Sequence, residues 1–191
     1  LAWQLDRQVE QLDRRLRSGE METQLKSTDV TSYFCGSVWK LNIDTINTWA
    51  KLCASNKVRH ICVKEKDEKR HIHDVSHAQL APAIQGEQHR ISPTIYYVPC
   101  RIFKNISFGA MPITNNIGVK VLLMQHIPKD VATRHIMYDS DLDRLLRISL
   151  NKLQETDPDQ YVSDQLVLMA AVRDHHTYIQ RIGDLIRYGL T

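Results

Sequence analysis

Glycine is scarce in this chain of 191 residues, at seven, and phenylalanine scarcer still, at three. No GxGxxG or GxxxxGK(S/T) string occurs, which argues against a glycine-rich phosphate-binding α/β enzyme. The four cysteines, Cys35, Cys53, Cys62 and Cys100, form no CxxC pair, so a cysteine-built zinc site is not expected. Their scatter fits reduced thiols in an intracellular protein, cytoplasmic or nuclear. No apolar run approaches the ~18–20 residues that span a bilayer, so no transmembrane segment is expected. No Ser or Cys sits in a Gly-x-Ser-x-Gly elbow, and no cofactor motif is present. Acidic residues are missing altogether between Glu87 and Asp130.

What is present is ordinary in bulk: 42% hydrophobic and 25% charged residues suit a globular protein. A net charge of +3 permits an anionic partner without demanding one. The first residue is Leu1 rather than Met, so further chain upstream is expected.

The clearest local pattern is N-terminal. Leu5, Val9, Leu12 and Leu16 recur at helical spacings, flanked by Asp6, Arg7, Glu10, Asp13, Arg14 and Arg15. So narrow a stripe suits a partner helix, but Gly19 ends it after about two heptads. A helix that short is marginal alone in water and must dock on something. Residues 1–26 are therefore predicted to be a helical arm, with self-association through Leu5, Val9, Leu12 and Leu16.

Residues 27–191 read as one α+β domain, sheet-rich over 31–128 and helical over 139–189. Thr31–Ile43 and Val58–Lys64 have strand composition, and a helix capped by Asp44 or Thr45 is predicted to about Ser55. Glu65–Asp74 is nearly all charged and predicts a loop or hairpin tip, with a short helix over Val75–Ile84. Thr94–Phe103, Ile106–Ile113 and Ile117–Ile127 read as three successive strands broken by Pro99, Gly109, Pro112 and Asn115-Asn116. Two helices close the chain, one opened by Ser140-Asp141 and one over Ser163–Tyr188. The expected fold class is α+β: a helical arm, a mostly antiparallel mixed sheet, and a C-terminal helical pair packed on that sheet.

Two patterns bear on function. His71 and His73 flank Ile72, with Asp74 and His77 close by; on a strand the first two would share a face and a metal ion. The pair is similar to the metal-binding core of rolling-circle replication endonucleases, yet its charged setting and the missing Tyr-x-x-Lys partner depart from that pattern. His71, His73 and His77 are therefore expected as exposed loop residues without metal, a metal-dependent nucleic-acid enzyme being the alternative. The second pattern is the acid-free stretch, where Arg90, Arg101, Lys104 and Lys120 join Arg59 and Lys64 as candidate anion-binding residues. The expected function is a non-enzymatic assembly protein, of viral matrix-like or coat-like build and then found in the virion. It would self-associate and contact nucleic acid, nucleoprotein or an anionic membrane surface. A protein–protein adaptor subunit is the third reading.

Overall fold

The computed structural model describes residues 2–36, 38, 42–64, 67–86 and 99–176. Helices α1 (Ala2–Arg17) and α2 (Glu20–Leu25) lead into β1 (Thr31–Cys35), α3 (Ile43–Ser55), β2 (Arg59–Val63) and α4 (Glu68–His77). There follow β3 (Ala81–Pro82), α5 (Cys100–Ser107), β4 (Pro112–Thr114), α6 (Ile117–Met124), α7 (Lys129–His135), β5 (Met137–Tyr138), α8 (Leu142–Glu155) and α9 (Pro158–His175).

The expected mostly antiparallel sheet is overturned. The chain is α+β, with nine helices among the described residues and two small sheets, β1-β2 and β3-β4-β5, every pairing in them parallel. Parallel neighbours cannot be joined by tight turns; each needs a crossover, and here helices supply them. Three predicted strands give way to this demand. Cys100–Ser107 is helical and buries Ile102, Phe103 and Ile106. Ile117–Met124 is helical too, buries Val119 and Leu123, and is capped where the Asn116 side chain accepts from Gly118 N–H at 2.8 Å. Only Pro112–Thr114 remains extended; residues 94–98 lie outside the described residues. Likewise the predicted loop over Glu65–Asp74 is largely the helix α4, and the predicted helix over Val75–Ile84 holds only the end of α4 before β3.

The two sheets meet edge to edge. Tyr33 N–H donates to the Leu80 carbonyl at 2.8 Å, and Leu80 N–H to the Thr31 carbonyl at 3.1 Å. Across this Ser32–Leu80 bridge the strands run in the order β2-β1-β3-β4-β5 with all carboxyl ends at one edge. Alternation along β1 sends Ser32 and Phe34 to one face and Tyr33 to the other. On the first face Trp49 of α3 donates to Ser32 Oγ at 3.0 Å; on the second Tyr33 packs with Val75 of α4. Helices thus cover both faces, with α3 against α8 on one.

The arm rests on its own chain. Helix α1 packs on α9 and α2, Leu12 is buried, and Val9 and Leu16 lie against the same core. Arg15, itself buried, bonds Glu20 at 2.7 Å, the Ser76 carbonyl at 2.6 Å and Gln24, tying α1 to α2 and α4. The side chain of Leu5 lies outside the described residues.

The C-terminal pair forms, but its second helix opens at Pro158 and not at the expected Ser163. Asp141 and Asp157 each accept from the backbone N–H three residues on, at 2.8 and 3.1 Å, and Pro158 opens α9. The α8 face Leu145, Leu146, Ser149 and Leu153 is buried as its spacing requires. Helix α9 ends at His175, and residues 177–191 lie outside the described residues.

Candidate anion site at the carboxyl edge of the sheet

The connections on either side of the Ser32–Leu80 bridge run in opposite directions. From β1 the chain goes through α3 to β2; from β3 it goes through α5 to β4, on the other side. In open parallel sheets such a divergence leaves a crevice at the carboxyl ends of the two central strands.

Arg101, in the first turn of α5, occupies this point. Its Nε donates to the Cys35 carbonyl at 2.7 Å, and its guanidinium carbon stands 4.0 Å over the centre of the Phe34 ring. The guanidinium lies across Gly36 so closely that a Cβ there would collide with it. A residue without a side chain is therefore required at the end of β1 if Arg101 is to keep its place. Lys64 follows the neighbouring strand β2. Burial pushes the Cys62 thiol up, while Arg101 and Lys64 both pull it down, so the two cations sit around the same thiol.

Beyond β3 the rim is built of amides. Gln85 N–H donates to Asn115 Oδ1 at 2.9 Å, and Asn115 Nδ2 donates back to the Gln85 carbonyl at 2.8 Å. The Asn115 side chain thus extends the β3–β4 ladder past its last backbone pair. Asn116 Nδ2 donates to Gln85 Oε1 at 2.6 Å while its Oδ1 caps α6. All three side chains are buried, so this network holds the carboxyl ends of β3 and β4 rigidly. Lys120 lies on the second turn of α6, its Nζ 5.5 Å from the centre of the Tyr138 ring of β5.

Of the six candidate anion-binding residues, Lys64 and Arg101 lie near each other at the carboxyl edge, beside Cys62, whereas Lys120 stands against Tyr138 of β5, at the far side of the sheet from β2. Lys104 lies exposed one turn further along α5. Arg59 belongs to the opposite edge, where it reaches Thr31 Oγ1 at 3.4 Å, and Arg90 lies outside the described residues.

The histidines do not form the loop cluster the sequence suggests. Helix α4 carries all three, and its 3.6-residue period splits them. His71 is half-buried against Phe108, with Nδ1 3.3 Å from the Tyr33 hydroxyl. The rings of His73 and His77 lie 4.0 Å apart, tilted by 35°, on another face, where His77 Nε2 is 3.3 Å from Glu20. Burial lowers the His77 pKa, so the expectation of an ordinary exposed imidazole fails there. Among the described residues no three His, Cys, Asp or Glu side chains converge as metal ligands. Nor, among them, is any helix long and apolar enough to cross a membrane.

Charge picks out Arg101 in the sequence, whereas Gly36, Phe34 and Gln85 carry no such mark and Asn115-Asn116 reads only as a turn. A glycine directly after a strand, in so glycine-poor a chain, was the available signal for the first. Comparison with protein-family models, with curated proteins and with solved structures finds no match to this chain, so the reading of the site rests on its own geometry.

Proposed function

We propose that this chain is a binding domain for a small phosphorylated or otherwise multiply anionic molecule, held at the carboxyl edge of the sheet by Arg101 with Lys64. The observation that carries this reading is the position of Arg101 at the point where the strand connections diverge, with its guanidinium laid over Gly36. A planar fork of donors suits phosphate oxygens. A compact anion is favoured over nucleic acid or a membrane surface because the described cations divide between both edges of the sheet. A polymer or bilayer needs them on one continuous face. Self-association through the α1 seam gains no support, since Leu12 is spent on the chain's own core.

Calorimetric titration with inorganic pyrophosphate at low salt tests the proposal. Binding is expected, weakening by about tenfold or more in Arg101→Gln, as one charge-assisted contact is worth ~1.5–3 kcal/mol. Thermal melts of the same variant separate loss of the ligand contact from loss of the fold. Absence of binding by the unaltered protein at millimolar pyrophosphate refutes it.

A further inference from the structure

Helix α4 carries His73 and His77 four residues apart, a spacing at which two helical imidazoles can share one metal ion. Their ring centres lie 4.0 Å apart. Facing them is Glu20, the first residue of α2, with Oε1 3.3 Å from His77 Nε2. Arg15, a buried side chain, donates from Nε to that same oxygen at 2.7 Å and so orients the carboxylate. His73 and Glu20 are exposed, and the His77 side chain keeps 34% of its accessibility, so the group is open to solution.

A neutral His77 ring cannot satisfy its surroundings. With the proton on Nδ1, that nitrogen donates to the His73 carbonyl at 2.7 Å, and the Nε2 lone pair then faces the Glu20 carboxylate. With the proton on Nε2, Glu20 is served, but a bare Nδ1 is pressed against the carbonyl oxygen at 2.7 Å. The Ser76 hydroxyl, 3.0 Å from Nδ1, leaves that contact in place. A cation at Nε2 resolves both cases. A second proton is one such cation, but burial, joined by the charges of Arg15 and His73, lowers the pKa against the pull of the carbonyl and of Glu20. A metal ion is the other. The 3.3 Å between Nε2 and Oε1 equals the ~3.3 Å that separates two ligand atoms on a tetrahedral zinc with bonds of about 2.0 Å. The bond from Nδ1 to a backbone carbonyl is also the usual way in which a ligating imidazole is aimed.

We propose that His77 Nε2 and Glu20 Oε1, joined by His73, bind one zinc ion that clasps α2 to α4. Two of the donors stand at the required separation; His73 joins them by a rotation of its side chain, and water fills the fourth position. Two imidazoles and a carboxylate favour zinc over magnesium, which prefers oxygen ligands in an octahedron. The site is independent of the anion site at the sheet edge. Calorimetric titration of chelator-treated protein with zinc chloride at neutral pH tests it. One ion per chain is expected to bind, with magnesium chloride giving no binding, and zinc is expected to raise the Tm because it binds the folded chain. Glu20→Gln and His73→Ala, both at exposed positions, should each weaken zinc binding about tenfold or more, while His71→Ala on the other face of α4 leaves it unchanged. Metal-free melts of the variants verify that the fold is kept; should Glu20→Gln fail to fold, His73→Ala decides alone. Absence of saturable zinc binding by the unaltered protein overturns the proposal. So does binding that survives either substitution in a folded variant, which would place the zinc on other groups such as the exposed thiols of Cys62 and Cys100.

Discussion

Acid should unfold this protein through one histidine in particular. His135 ends α7 and is fully buried, with Nε2 2.9 Å from Gln165 Oε1 and the Tyr161 ring edge-on at 4.9 Å. Its Nδ1 has no hydrogen-bond partner among the described residues. Burial pushes its pKa down to about 4; Gln165 and the Asp164 carboxylate pull the other way, Lys152 and Arg134 assist burial, and burial wins. In the unfolded chain the same ring titrates near 6.5. Between these values the unfolded state holds a proton that the folded state refuses, so stability falls as pH falls from 6.5 towards 4. Such a displacement is worth about 3 kcal/mol in all, of which roughly 2 kcal/mol is lost between pH 7 and pH 5. Burial lowers His60 and His77 in the same direction, so the unaltered protein alone does not isolate the effect. His135→Gln does, because Gln does not titrate and still offers Gln165 a donor. Guanidinium unfolding at pH 7 and pH 5 is expected to show the unaltered protein losing roughly 2 kcal/mol more than the variant. Equal losses in both refute the argument.

Other outcomes follow from the packing. Leu12→Ala should cost about 3 kcal/mol in urea unfolding and leave the sedimentation coefficient unchanged, because Leu12 fills the chain's own core. Arg134 holds Asp164 through two bonds of 2.7 Å, and the Asp164 side chain is only 3% exposed. Arg134→Ala strands that carboxylate with Gln160 and should lower stability by about 3 kcal/mol, read as a fall in Tm of roughly 10 °C. Trp49→Phe keeps most of the volume but forfeits the bond to Ser32 Oγ, an expected loss of ~1–2 kcal/mol by denaturant titration. Gly36→Ala should displace the Arg101 guanidinium and weaken pyrophosphate binding as much as Arg101→Gln does, read by the same calorimetry.

Where the sequence was legible, local chemistry sufficed. Asp141 marks a helix start where it stands, and the spacing of Ile46, Trp49 and Cys53 makes one buried stripe in α3; Asp157-Pro158, expected as a break, instead opens α9. Strands of two or three residues such as β3, β4 and β5 are too short to show a period of two. The β-branched residues of IGVKVLLM favour a strand on propensity alone, and only the need to cross from β4 to β5 in parallel makes that segment a helix. Asn115-Asn116 read as a turn because nothing local says that one side chain continues a ladder and the other caps a helix. The site was half visible for the same reason. A cation declares itself in a sequence, whereas the glycine and the ring beneath it become neighbours only once β1 and α5 meet.

The sheet hangs together at its middle by little. Residues from Thr31 to Val63 form one ladder and those from Ala81 to Tyr138 another, and among the described residues the backbone bridge between them is the Ser32–Leu80 contact alone. Arg101 is fixed to the second half through α5 yet grips the first half at Cys35 and Phe34, so it acts as a rivet across that join. Sub-global opening should part the molecule there, with amides of β1 and β2 exchanging as one cooperative unit and those of β4 and β5 as another. An anion seated on Arg101 would hold the rivet in place. Its arrival should be felt less as new contacts than as the merging of two opening transitions into one, a mechanical coupling of halves.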